Sequence, residues 1–191
     1  MFATISNTLA LVLFLIALVL MIIFWYIGTM NKLRQLELKV HEAESGIDIA
    51  LTKRYDMLTK LLQTTKAYAL HETELLENVV KWRNGIPDNA TLKDKEEFTQ
   101  QLSTIASGVN VVVEHYPELK ANTVFKELQA AVTNTEEHLQ AARRLYNANV
   151  THINHIIVSF PQSLVANAIH MELKLYFEVE EQKRKDIEFK F

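Results

Sequence analysis

The 191-residue sequence has no cysteine, only four glycines and three prolines, and each scarcity closes off a class of protein. Without cysteine there is no disulfide, no thiol nucleophile, no thiolate zinc or iron–sulfur site and no cysteine to carry a lipoprotein anchor. The glycines Gly28, Gly46, Gly85 and Gly108 are scattered, whereas a phosphate-cradling loop, a dinucleotide-binding turn or a nucleophile elbow needs two or three within about six residues. Proline is confined to Pro87, Pro117 and Pro161, which leaves long stretches free to form uninterrupted helix. Charge is missing from one end: all 43 Asp, Glu, Lys and Arg side chains lie at or beyond Lys32. The net charge of −3 offers no basic footprint, so a nucleic-acid partner is excluded.

What fills the charge-free end is apolar. Residues 9–27 read LALVLFLIALVLMIIFWYI, 19 residues without interruption, and at about 1.5 Å per residue a helix of this length crosses a hydrocarbon core of about 30 Å. Backbone polar groups in lipid must be satisfied within the segment, which demands a helix. The run exceeds the 7–15 apolar residues of a typical signal peptide, no charge precedes it and no small-residue cleavage pattern follows Tyr26, so the reading is an uncleaved anchor. Trp25 and Tyr26 suit the headgroup level, and Lys32, Arg34 and Lys39 follow at once. The positive-inside rule then places a short N-terminus, residues 1–8, outside the cell membrane and the bulk of the chain in the cytoplasm.

Beyond the anchor the pattern has a period of seven. Leu33, Val40, Ile47, Arg54, Leu61, Tyr68, Leu75 and Trp82 form one series, accompanied by Leu36, Ala43, Ala50, Met57, Thr64, His71 and Asn78. The turn-forming run Gly85-Ile86-Pro87-Asp88-Asn89 ends this helix, and Thr91 with Asp94 forms a capping pair that starts the next. A second helix carries Phe98, Leu102, Ile105, Val109, Val112 and Tyr116 and closes at Pro117; a third, of about 35–40 residues, carries Phe125, Val132, Leu139, Tyr146, Ile153 and Phe160 and stops at Pro161. A fourth is expected from Gln162 to about Lys185, before a charged tail at 183–191. The fold class is therefore all-α: an N-terminal transmembrane helix followed by an elongated antiparallel bundle of three to four long helices over residues 28–182. The second helix is much shorter than the first, so the collar from Leu33 to Ile47 is expected to lack a partner within the chain and to meet a second copy or another protein.

Few residues invite chemistry. Arg54 interrupts an apolar seam and calls for an acid on a facing helix, Glu136 or Glu127. His71 with Glu72 belongs to a HETE run that lacks the second histidine of a zinc-protease helix. His152 and His155 lie three apart but flank the seam formed by Ile153 and Ile156, and no histidine follows a glutamate at the spacing used by di-iron bundles. No catalytic residue, metal or cofactor is expected. The mixed-sign runs at 93–97 and 183–186 read as solvated faces.

Several short motifs occur together and in order: Ile47-Asp48 with Leu51-Thr52-Lys53-Arg54-Tyr55-Asp56-Met57-Leu58, Tyr68-Ala69 with His71-Glu72, YPELKAN from Tyr116 to Asn122, Thr135-Glu136, Ala142-Arg143-Arg144 with Tyr146-Asn147, and Phe160-Pro161 with Ala166 and Tyr176-Phe177. In these the chain resembles the LemA family over nearly its whole length. It departs from the usual pattern at Met57-Leu58-Thr59, where family members often have Ile-Pro, so the first helix should continue there without a kink. The resemblance implies a bacterial-type membrane protein with one N-terminal helix, an external N-terminus and a long-helix bundle. It supplies no reaction, and points toward organising membranes or proteins.

On that resemblance Arg54, Asp56, His71, Glu72, Asn122, Glu136, Arg143, Tyr146 and Asn147 match motif positions. They either fix helix register, which repeated heptads alone leave open, or form a docking surface. The function expected is a non-catalytic scaffold or adaptor at the membrane; the alternative is a regulatory subunit of a membrane enzyme such as a protease. The partners expected are the bilayer through residues 9–27, an unidentified membrane or cytoplasmic protein, and a second copy of the chain.

Overall fold

The computed structural model describes residues 2–66 and 90–177. Five helices occur there: α1 Phe2–Lys66, α2 Leu92–His115, α3 Pro117–Ala121, α4 Thr123–Val158 and α5 Gln162–Ala168. The expected seam positions Tyr68, Leu75 and Trp82, the turn at 85–89 and the tail at 183–191 lie outside the described residues.

Proline-free sequence lets α1 run for 65 residues without a break, through Met57-Leu58-Thr59 as expected. Its two parts differ in what they bury. Every residue from 9 to 28 is exposed; burial begins at Thr29 and continues through Leu33, Leu36, Val40, Ala43, Ile47, Ala50, Leu51, Arg54, Leu58, Leu61, Leu62 and Thr65. The stripe starts on the expected seven-residue series and drifts to Leu58, Leu62 and Thr65, because a helix of 3.6 residues per turn slips about 20° against each heptad.

α2 opens on the expected capping box: the Asp94 amide donates to Thr91 Oγ1 at 3.2 Å and the Thr91 amide to Asp94 Oδ2 at 2.8 Å, which satisfies donors that a helix start leaves open. Phe98, Leu102, Ile105, Val109 and Val112 are buried along it. Tyr116-Pro117 ends the helix, yet the chain does not stay irregular. Pro117, placed where a helix start needs no amide donor, begins the five-residue α3. Asn122 then accepts the Phe125 amide on its side-chain oxygen at 3.1 Å and starts α4.

The 36 residues of α4 bury Phe125, Leu139, Tyr146 and Ile153. Phe160 does not join them: it lies past the helix end and is 80% exposed, a correction to its place in the seam. The expected fourth helix is also corrected. α5 spans only seven residues and is closed by a reciprocal C-terminal turn, in which the Met171 amide donates to the Ala166 carbonyl at 3.0 Å and the His170 amide to the Asn167 carbonyl at 3.1 Å. His170 takes a left-handed φ of 52°, and Met171 and Ala166 are both buried, the hydrophobic contact that accompanies such a stop. Residues 171–177 continue without helix.

The described chain divides into two compact units. One gathers residues 2–41 and 149–175. Its buried apolar side chains are Leu33, Leu36 and Val40 from α1, Val150, Ile153, Ile156 and Ile157 from α4, and Val165, Ala166 and Met171. Asn149 donates to the Lys39 carbonyl at 3.1 Å, and Lys174, which Asn154 holds, reaches Glu37 at 2.7 Å; lower numbers on α1 meet higher numbers on α4, so the two run antiparallel.

The other unit gathers residues 42–66, 90–148 and 176–177 of the described chain. Here Glu44 and Asp48 meet Lys95 while Arg54 meets Ser103, so α2 runs parallel to α1. The collar is a correction, since Leu33, Leu36, Val40, Ala43 and Ile47 are all buried within the chain.

Candidate functional site

Arg54 enters the seam because its place on α1 falls on the buried stripe, and only 4% of it is exposed. A guanidinium there needs a counter-charge. α4 supplies it: Arg54 Nη2 lies 2.6 Å from Glu136 Oε2, and the same nitrogen donates to Ser103 Oγ of α2 at 3.3 Å. The acid is thus Glu136 and not Glu127. Gln140, one turn further along α4, donates to Glu136 Oε1 at 2.9 Å and holds the carboxylate in place. A cleft of about 220 Å³ lies beside the pair, lined by Leu61, Ala106, Asn110, Gln129, Val132 and Thr133 as well as Arg54 and Glu136. Gln129 donates to Asn110 at 3.3 Å across it. The opposite charges sit face to face, so the arrangement suits a lock between three helices better than a proton relay.

A second buried cation was not expected. Lys95 belongs to a mixed-sign run read as solvated, but only 5% of it is exposed, and its ammonium lies 2.9 Å from Glu44 Oε1 and 2.8 Å from Asp48 Oδ1. Burial pulls its pKa down, while hydrogen bonds and charge from Asp48 and Glu44 outweigh burial and leave it raised. Its signal in sequence was a spacing: Asp48 and Glu44 stand four apart on α1, so one helix face presents both carboxylates.

Of the remaining motif residues, Asn122 caps α4, and Arg143, Tyr146 and Asn147 lie together further along that helix. Asn147 clamps the backbone of Phe177 from both sides, donating to its carbonyl at 2.9 Å and accepting its amide at 2.8 Å. Arg143, one turn back on α4, stacks over the Phe177 ring at 4.9 Å. Tyr146 is 2% exposed; burial first, then the charges of Glu44 and Glu96, push its phenol up to about 12. Asn154 repeats the clamp on Lys174, with both hydrogen bonds at 2.8 Å. The sequence shows Asn147 and Asn154 seven apart, but reading them as clamps requires a non-helical segment where the sequence predicts a helix.

Asp56 stands apart from all of these. It is exposed on α1 and, with Ser45, Asp48, Ile49, Thr52 and Lys53, lines a shallow surface groove of about 350 Å³. Ile49 is 67% exposed there, unusual for its residue type inside an amphipathic helix. His71 and Glu72 lie outside the described residues. His152 and His155 are exposed on α4, on the flank where the apolar seam leaves them.

Arg54, Glu136, Arg143 and Asn147 thus make their contacts at positions where the motifs of the sequence fall. Over 178 residues the chain is 26% identical to Protein LemA of Metamycoplasma hominis, covering 93% of this chain and 81% of that protein. The model of the LemA family matches residues 43–191, which include Arg54, Glu136, Arg143, Tyr146 and Asn147. The chain belongs to the LemA family.

Proposed function

We propose that this protein is a single-pass, membrane-anchored scaffold or adaptor without catalytic activity, held by residues 9–27 with its N-terminus outside and its helical part in the cytoplasm. One observation carries the reading: α1 is a single helix whose residues 9–28 expose apolar side chains throughout, while everything from Thr29 on buries a stripe. A helix of that kind couples a lipid-facing anchor to a folded part with no intervening linker. The non-catalytic half of the reading draws on the polar residues, since Arg54, Glu136, Arg143 and Asn147 spend their polarity on contacts within the chain. Asp56 alone of the described candidate residues is exposed, in the groove with Ile49 and Lys53, where a partner can meet it.

The experiment is purification of the full chain from membranes beside an Asp56→Arg variant. The reading expects one dominant protein partner in stoichiometric amount, lost in the variant while its melting temperature is unchanged. Co-purification unaffected by Asp56→Arg would mean that the partner does not dock on the groove. Orientation is tested separately, because a chain without cysteine accepts single reporters: S6C should react with a membrane-impermeant thiol reagent in intact cells, and E137C only after lysis.

A further inference from the structure

Within the unit formed by residues 2–41 and 149–175, the geometry points to a second membrane contact: the corner carrying Val158, Phe160 and Leu164 inserts into the cytoplasmic-side lipid interface beside α1. This inference rests on the proposed anchoring by residues 9–27.

Its first support is position. Asn149 is bonded to Lys39, and α4 runs antiparallel to α1 from there. The nine residues from Asn149 to Val158 rise about 13.5 Å, as do the nine residues of α1 from Lys39 back to Met30. The end of α4 therefore stands level with Met30, within one turn of the fully exposed apolar run that ends at Gly28. Burial agrees, because α1 becomes covered at Thr29, which is 8% exposed, and Leu33, which is wholly buried.

The second support is what the corner presents. Val158 is 64% exposed, Phe160 80% and Leu164 58%, three large apolar side chains around one turn of chain. In water this is an unfavourable patch; at an interface the same side chains sink beneath the headgroups, and an aromatic ring is well suited to that depth.

The third is charge. From Leu145 to Met171 the chain has 27 residues without Asp, Glu, Lys or Arg, the longest such stretch after the anchor. His152, His155 and His170 are the only side chains in it that can take up a positive charge. Carboxylates would be repelled from an anionic leaflet and costly to dehydrate, and α4 carries none toward this end. On α1, Lys32 is exposed just beyond the level of the corner, where it can meet lipid phosphate.

The test uses the full chain in vesicles of phosphatidylethanolamine and phosphatidylglycerol, with a polarity-sensitive fluorophore on a single introduced cysteine. F160C and, as a second variant, L164C report the corner; L18C reports the anchor and E137C a water-exposed position. Lipids carrying a nitroxide at a shallow or a deep acyl position serve as quenchers. Expected is a shift of F160C and L164C emission to shorter wavelength with quenching strongest from the shallow nitroxide, L18C quenched most by the deep one, and E137C unaffected. L18C quenched with F160C and L164C as unquenched as E137C overturns the corner and leaves the anchor standing. Emission at F160C shifted but not quenched by lipid means that a second copy covers the corner, which also overturns it. L18C left unquenched overturns the anchoring and the corner together.

Discussion

Arg54 Nη2 and Glu136 Oε2 lie 2.6 Å apart, the first on a side chain 5% exposed and the second on one 35% exposed. The pair is asymmetric, and the asymmetry can be measured. Replacing Glu136 with Gln leaves a buried guanidinium without its counter-charge and should cost about 2 kcal/mol, less than a fully buried pair because water reaches the carboxylate. Replacing Arg54 with Met leaves Glu136 with partial access to water and a volume-matched apolar side chain in the seam, and should cost less than E136Q. Denaturant unfolding of both variants and of the double variant checks this; equal losses would place the energy of the contact elsewhere.

Asn147 is predicted to act on stability through the backbone of Phe177. Asn147→Ala strips two hydrogen bonds from a peptide group next to a buried ring, and a loss of about 1–3 kcal/mol is expected. Asn147→Asp can still accept the amide but turns a carboxylate toward the Phe177 carbonyl, so it should not restore the loss. If the aspartate variant matches the native protein in thermal unfolding, the clamp is not the role of this residue.

Two positions should gain stability on substitution. Gly46 sits inside α1 with nothing within 4 Å of where a Cβ would lie, so Gly46→Ala should stabilise by about 0.5–1 kcal/mol. His170 holds a left-handed φ of 52°, which disfavours a side chain by about 1–2 kcal/mol; His170→Gly should stabilise by a smaller amount, as glycine also loosens the unfolded chain. Chemical denaturation of each single variant measures the gain, and a loss at His170→Gly would mean that its imidazole makes a contact worth more than the strain.

Stability should fall at both ends of the pH scale. The Tyr146 phenol is held neutral up to about 12 against an ordinary 10.0, so its contribution is complete below about pH 10 and is lost as pH rises through 12. Lys95, raised above 10.5, adds a loss in the same direction. On the acid side, the hydrogen bond from Lys174 is the largest of the effects that lower the Glu37 pKa below 4.5; the stability it contributes is present above 4.5 and disappears as pH falls through the lowered value. Ultraviolet titration should show a tyrosine step near 12 that Tyr146→Phe removes, and Lys174→Met should flatten the acid limb of melting temperature against pH.

The sequence made the helices legible wherever period and punctuation agreed. The series at Leu33, Phe98 and Phe125 each mark a helix that buries those residues, and the Thr91–Asp94 cap falls where expected. It was less informative where apolar content and burial part company. Phe160 continues the spacing of α4 in sequence, but the helix ends at Val158 before reaching it. The non-helical run at 171–177 was hidden because no glycine or proline announces the stop at Ala168; histidine takes the left-handed position instead. Of the motif residues, Arg54 with Glu136 could be paired from a charge in a seam, whereas Asn147 with Phe177 needed the fold, since the contact is between a side chain and a peptide group 30 residues away.

The proposed role requires that the chain present a surface to a protein partner at the membrane, and crosslinking in intact membranes followed by mass spectrometry reads that contact itself. With the full chain at native level and an amine-reactive crosslinker, the prediction is that Lys53, exposed in the groove beside Asp56, links to one dominant heterologous protein. Links confined to copies of the chain itself, or heterologous links that avoid the groove, would contradict it.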